Sequence, residues 1–514
     1  MHFEKCTLIS DNNVIELTEG EGGYIYKDVC IHIESDGKIS ITALETPIKA
    51  VVLETVNVFF DDAVILGDAW ERAYGNLEWK HADCNRKMPW YFFAHKNGVT
   101  HAFGVKTQPN SFCSWQCDNK FIRLTINIQN GSHDIILNGR TINACTVVTE
   151  RYQSDTFSAA QNFCGLMCDN PRFPQTPIFG GNDWYCNYGE NSFDKILLHA
   201  RRIAECAKNC RHMPYMVIDD GWQLCHHQST DPYRYFNGGP WKYCNNNFGD
   251  MKRMAEAISD IGVIPGIWFR PLWTTEKIGN EYVLKSDGIK DTLDPSASSV
   301  IDIIKDDVSR LKNWGYKLIK HDFSTWDIFG KWGFEMDNDM YEGECNFSNR
   351  TQTTAEIIKN MYAAIREAAG DDVLIIGCNT VSHLAAGYFD IQRTGDDTSG
   401  LDWERTKKYG INTLAFRMPQ HKMFYAVDAD CVGITANIEW GKNRQWLDVL
   451  AQSGTPLFVS IAENAFSKKI KEEISMAFKK SEQSKNVSHA IDWMENVCPT
   501  LWESTFGIDK YVWD

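Results

Sequence analysis

Over roughly the first 165 residues, apolar and polar positions alternate with the two-residue period of half-buried strands. Ile39-Ser40-Ile41-Thr42-Ala43 shows this alternation, as does Phe121-Ile122-Arg123-Leu124-Thr125-Ile126-Asn127-Ile128. Asp36-Gly37 and Asn130-Gly131 mark turns between such segments. No amphipathic helix of useful length is predicted in this part, and the expected architecture is an antiparallel β-sandwich.

The period changes near Pro171, Pro174 and Pro177. Beyond them, short apolar runs alternate with helix-period stretches, the pattern of a repeating βα unit. Eight strands are expected, at 178–184, 215–219, 263–269, 317–322, 373–378, 389–393, 423–428 and 456–460. Phe193, Ile196, Leu197, Ala200, Ile203 and Ala204 form one helical stripe between them, and Val300, Ile301, Ile304, Val308 and Leu311 another. Only the segment between the fifth and sixth strands is too short for a full helix. Eight strands within about 285 residues fit a (β/α)8 TIM barrel. The predicted fold is therefore α/β, with a sandwich domain at 1–170 and a barrel domain at 171–514. Helices are expected at 467–481 and 488–495, followed by a short tail.

Composition narrows the function. The net charge of −16 disfavours nucleic acid and anionic membranes as partners. No run of 18 apolar residues appears, and the opening residues lack a signal-peptide pattern, so a cytoplasmic location is expected. The 17 cysteines are odd in number and follow no framework, as expected of reduced thiols. Cys225-His226-His227 lacks the spacing of a metal set, and neither metal nor cofactor is expected.

Barrel active sites form at the C-terminal ends of the strands. The polar residues expected there are Asp183-Trp184, Asp219-Asp220, Trp268 with Arg270, Lys320 with Asp322, Cys378-Asn379, Arg393 with Asp396-Asp397, and Asp428 with Asp430. This acidic, Trp-containing set suits a sugar better than a phosphate or a metal. Alternation puts Lys320 and Asp322 on one side of their strand, which fits either a nucleophile kept ionised by an ammonium or a structural salt bridge. Asp396-Asp397 beside Arg393 fits either a proton donor with a displaced pKa or a solvated acidic turn. Retaining glycoside cleavage needs one ionised and one protonated carboxyl about 5–5.5 Å apart, and two such strands could supply them. Asp219-Asp220-Gly221-Trp222 offers acceptors for sugar hydroxyls and an apolar wall, or else a capped turn.

Together and in order, these motifs resemble the α-galactosidases of glycoside hydrolase families 36 and 27, over about residues 178–465, with a family-36-like sandwich in front. Asp219-Asp220-Gly221-Trp222 is similar to their Asp-Asp-Gly-Trp element, Gly266-Ile267-Trp268-Phe269 to their Gly-Leu-Trp-Phe strand, and Lys320-His321-Asp322 to their Lys-x-Asp motif. Val427-Asp428-Ala429-Asp430 resembles their Asp-Pro-Asp element, and Gly454-Thr455-Pro456-Leu457-Phe458 the strand that closes the barrel.

The resemblance implies Asp322 as nucleophile and Asp397, four residues after Arg393, as acid/base. It implies Asp219, Asp220, Lys320, Cys378, Asn379 and Arg393 around the sugar, with Trp184, Trp222 and Trp268 as walls. The implied partner is an oligosaccharide, and a homo-oligomer is expected by analogy. Trp70 either reaches the pocket from the sandwich or, the favoured reading, fills the core. His321 stands where an aromatic residue is usual, Arg270 where family 36 commonly has Glu, and Cys378-Asn379-Thr380-Val381-Ser382-His383 lacks the family's Gly-rich run. These departures leave the terminal sugar open between galactose, N-acetylgalactosamine and a pentose analogue. Glycosyl transfer and catalytically silent sugar binding are the other readings of the same barrel, and the presence of both carboxylates argues against the second.

Overall fold

The computed structural model describes residues 1–11, 13–57, 62–228, 235–336, 339–484 and 487–514, with backbone only at 227–228 and 235–236. The alternating segments pair as expected. Lys38–Thr42 and Phe121–Asn127 are strands, and the second alternates between buried and half-exposed positions along its whole length. An antiparallel sheet of six strands and another of nine make up this region. Helix Thr156–Met167 follows them and corrects the expectation of no helix there. Its buried face carries Phe157, Ala160, Phe163, Cys164 and Met167, and the Asp155 side chain caps its N-terminus. With few charges opposite that stripe, the amphipathic signal is weak.

The second half is a parallel barrel. Its strands are Phe179–Asn182, Tyr215–Ile218, Ile264–Phe269, Leu318–His321, Leu374–Gly377, Ile391–Arg393, Ala426–Asp428, Cys431–Ile434 and Leu457–Ile461. Each falls within one residue of a predicted run except Cys431–Ile434, which is the second half of a broken seventh strand. Ala426–Asp428 pairs with the sixth strand, and Cys431–Ile434 pairs with the eighth. Between them Asp430 adopts a left-handed backbone, φ 72°, so the chain turns from one neighbour to the other and closes the ring. Helix Ser382–Ala385 is the only one between the fifth and sixth strands among the described residues, matching the short segment foreseen there.

Alternation decides what enters the barrel. Ile178, Val217, Leu318, Ile376, Ile391, Ala426 and Phe458 pack together as the plug inside it, while Met216, Ile218, Ile319 and Ile375 join the larger core beneath the helices. Residues two positions further along from the plug therefore also face inward, at the C-terminal mouth. These include Asp219, Lys320, Cys378, Arg393 and Asp428.

Helix Lys468–Gln483 matches the first helix expected after the barrel. The second, at 488–495, does not form. His489–Ala490, Leu501–Ser504 and Gly507–Lys510 make a small antiparallel sheet instead. Asp492 accepts hydrogen bonds from the backbone N–H groups of Thr500 and Leu501, which holds this segment against the later chain in a turn instead of a helix. Among the described residues no helix is long and apolar enough to cross a membrane.

Candidate active site

Asp322 leaves the fourth strand with its N–H donating to the Phe269 carbonyl at 3.0 Å. The next residue, Phe323, turns left-handed at φ 65° and aims its own N–H back at Asp322 Oδ1, 2.8 Å away. Trp268 Nε1 donates to Oδ2 at 3.1 Å. Burial pushes the Asp322 pKa up, but the charges of Lys320 and Arg72 and these two hydrogen bonds outweigh it. The group is held below the ordinary carboxylate value, hence ionised.

Lys320 acts on Asp322 through its charge only. Its Nζ donates to Asp219 Oδ2 at 2.7 Å, and Asn182 Nδ2 shares that oxygen at 2.6 Å. Asp220 receives Asn237 Nδ2 at 2.8 Å and Gln223 Nε2 at 2.5 Å, and His226 Nδ1 lies 3.0 Å from it. His226 is thus engaged by a carboxylate. The His227 side chain lies outside the described residues, among which no three His, Cys, Asp or Glu side chains could hold a metal ion. Gly221, at φ 120°, allows the turn between Asp220 and Trp222, since a Cβ there would sit 2.4 Å from the Gly189 carbonyl oxygen.

The sixth strand ends in the acidic pair. Arg393 is buried and reaches Asp430 Oδ2 at 2.7 Å and Asp397 Oδ1 at 3.2 Å. Asp396 is held by two other arginines, Arg72 at 3.1 Å and Arg405 at 3.3 Å. The Asp397 side chain is 35% accessible. Its desolvation, followed by the opposing pull of Arg393 and the repulsion of Asp396 and Asp430, leaves its pKa raised. One carboxyl is therefore ionised and another inclined to carry a proton, on strands four and six with only strand five between them.

Sequence reasoning weighed a contribution from the sandwich only at Trp70 and missed Glu71 and Arg72. Arg72 and Glu71 reach the barrel mouth from the loop after strand Val64–Gly67. Ala73 pairs with Gly395, donating to the Thr394 carbonyl at 2.7 Å and accepting from Asp396 at 3.0 Å. Glu71 is fully buried, accepts from Gly333 N–H at 2.9 Å and is bonded by Asn379 Nδ2. The one available signal was the adjacent charges Glu71 and Arg72, which with Asp68 interrupt the apolar run around Trp70. Trp70 itself packs in the core against Trp90 and Phe112, as the favoured reading had it.

The remaining residues divide clearly. Trp184 is half-buried at the mouth, with Tyr188 5.7 Å away. Trp222 is corrected: it is completely buried, packs on Trp241 and Trp314, and donates Nε1 to the Trp268 carbonyl, so no face remains for a ligand. Trp268 meets the site through its Nε1 edge. Cys378 is buried with its Sγ near Arg393 and Arg72, and Asn379 is spent on Glu71, so both support the site from behind. His321 is buried against Tyr362 and Phe389, where burial lowers its pKa to about 3. The segment after Asn379 is turned toward the sandwich. His383 stacks on Trp90 at 5.0 Å and lies 2.8 Å from the Val105 carbonyl.

Arg270 finds a carboxylate elsewhere. Its Nε donates to Asp327 Oδ2 at 3.0 Å, its other nitrogens reach Asp327 Oδ1 and Asn237 Oδ1, and both charged side chains are buried. Since Asn237 in turn holds Asp220, the pair steadies a group at the mouth. Asp327→Asn strands a buried guanidinium and should cost about 3–5 kcal/mol. Urea unfolding reads this directly, and an unchanged midpoint would show that the pair contributes nothing.

No family model matches the sequence. In three dimensions the chain is similar to an α-galactosidase from Thermus thermophilus in complex with p-nitrophenyl α-D-galactopyranoside, with a TM-score of 0.62 over 99% of each chain at 14% identity. The fold is that of the family-36 α-galactosidases. A family-36 α-galactosidase from Geobacillus stearothermophilus in complex with raffinose matches 93% of this chain and 75% of its own, with a TM-score of 0.62 at 13% identity. The galactosidase domain of an α-galactosidase–sucrose kinase matches 88% of this chain and 66% of its own, with a TM-score of 0.57 at 16% identity. The expected sandwich-then-barrel architecture is thereby borne out.

Proposed function

We propose that the protein is a retaining, exo-acting glycoside hydrolase that removes terminal α-galactosyl-type residues from oligosaccharides. The observation that carries this reading is the placement of two carboxyls, Asp322 and Asp397, at the C-terminal ends of strands four and six of one barrel mouth, with Asp322 inclined to stay ionised and Asp397 to carry a proton. Asp322 attacks the anomeric carbon while Asp397 protonates the departing oxygen. Asp397 then takes a proton from water, which displaces Asp322 and releases the sugar with its configuration retained. Asp219, Asp220 and Lys320 bind ring hydroxyls, and Trp184 offers a ring face to the sugar. The fold likeness to enzymes crystallised with a galactoside and raffinose supports the substrate class.

The test is hydrolysis of p-nitrophenyl α-galactoside, α-N-acetylgalactosaminide, β-L-arabinopyranoside and α-glucoside, with NMR of the first anomer released. Release of α-galactose is expected. Initial release of the β anomer would exclude double displacement, and no release from any substrate would exclude the hydrolase reading.

A bell-shaped dependence of kcat/KM on pH is also expected. Asp322 works deprotonated, and its lowered pKa preserves activity below the ordinary carboxylate range until pH falls through that value. Asp397 works protonated, and its raised pKa carries activity upward until pH rises through it. A profile with no alkaline limb would remove Asp397 from the acid role.

A further inference from the structure

The two arginines beside Asp397 differ in origin. Arg393 belongs to the barrel strand that carries the acid, whereas Arg72 comes from the sandwich. Arg72 is only 7% accessible at its side chain, and its guanidinium is fixed on every side. It lies 5.1 Å above the Trp332 ring, its Nε donates to the Tyr74 hydroxyl at 3.3 Å, and that hydroxyl donates to Glu71 at 2.5 Å. One terminal nitrogen meets Asp396 Oδ1 at 3.1 Å, and the other lies 3.7 Å from Asp397 Oδ1 and 3.9 Å from Cys378 Sγ.

Arg393 also addresses Asp397 through Oδ1. Arg393 donates to that oxygen and the Arg72 charge lies 3.7 Å from it, which disfavours a proton there and favours Oδ2 as the protonated oxygen of the acid form. Nor is Arg72 needed merely to fasten the sandwich to the barrel. A separate buried pair, Arg417 with Asp68 at 2.9 Å and Gln420 on the other oxygen at 3.0 Å, already joins them, alongside the Ala73 backbone bonds.

Resting on the hydrolase reading above, we propose that Arg72 is the positioning residue of the acid/base: by tying down Asp396 and setting its charge beside Oδ1 of Asp397, it presents the Oδ2 proton to the leaving-group oxygen. The sandwich thus completes the catalytic machinery. The other groups acting on Asp397 are Arg393, Asp396, Asp430, Arg405, Tyr185 and Tyr188, and those acting on Asp322 are Lys320, His321, Asp327 and Cys378. Arg72 faces both carboxylates and lowers the pKa of each.

The experiment compares wild type, Arg72→Gln and Arg72→Lys on raffinose and on α-galactosyl fluoride, whose leaving group needs no proton. In Arg72→Gln, raffinose turnover should fall about 10²-fold while the initial burst of fluoride release, which needs no acid, falls less than about fivefold. Its alkaline limb should move up by about one pH unit, because a stabilising positive charge is gone. Arg72→Lys keeps the charge and loses the fork, so its limb stays near that of wild type while raffinose turnover falls about tenfold. Thermal unfolding of each variant accompanies the assays; should Arg72→Gln fail to fold, Arg72→Lys decides alone. Equal losses on both substrates, an unmoved limb in Arg72→Gln, or an Arg72→Lys variant matching wild type on raffinose would overturn the assignment. A wild type inactive on both substrates would overturn the hydrolase reading itself.

Discussion

Asp322→Asn is expected to lower turnover of every α-galactoside by about 10⁴-fold or more while leaving a folded protein that still binds sugar. The amide keeps the shape of the carboxylate and can still accept from Trp268 or from the Phe323 N–H. Lys320 retains its bond to Asp219, so no buried ammonium is stranded. What disappears is the charge that the proposed mechanism uses to form the covalent bond. Because the loss lies in the first chemical step, it should be the same for good and poor leaving groups. Shortening the residue to Asp322→Gly opens the same face of the anomeric carbon to a small anion. Added azide should then yield β-galactosyl azide, the inverted product, without hydrolysis. Residual activity above about a tenth of wild type would place the nucleophile elsewhere.

Asp397→Asn should instead separate substrates by leaving group. With an alcohol leaving from an oligosaccharide, loss of proton donation should lower kcat/KM by about 10³–10⁴-fold. With α-galactosyl fluoride the first step needs no acid, so a burst of fluoride release should precede a slow steady state. That slow phase reports the second role of the same residue, activation of water against the glycosyl–Asp322 ester. Azide needs no base and should accelerate it, giving the retained α-azide. Equal losses for all leaving groups would remove Asp397 from the acid role. Asp396 is a poor substitute, since Arg72 and Arg405 already engage both its oxygens.

The barrel was legible because its strands are fully buried and announce themselves as apolar runs ending in polar pairs. The inward direction of Lys320, Asp322 and Arg393 follows from strand alternation alone. Contacts that depend on which distant segments meet were not legible. Arg270 and Asp327 lie 57 positions apart, and nothing local to either marks the other as its partner. Trp222 was misassigned because a Trp at a strand end fits both a sugar wall and a core plug, and only Trp241 and Trp314 packed around it decide between them. The broken seventh strand was read as one short run, because Ala429-Asp430 carries no glycine or proline to signal the turn. Ile491, Trp493 and Met494 have helical spacing, yet the Asp492 side chain directs the chain into a turn.

The contact between Glu71 and Asn379 spans 308 residues. At about 5–20 residues per second, the Glu71 loop leaves the ribosome roughly 15–60 s before the partner it needs. The sandwich has time to fold with Glu71 and Arg72 displayed and unmatched, and the mouth can be assembled only when the later barrel strands dock beneath them. Activity should therefore appear late in biosynthesis and as a single event, and nascent chains halted before the sixth strand would be structured at their front yet inert.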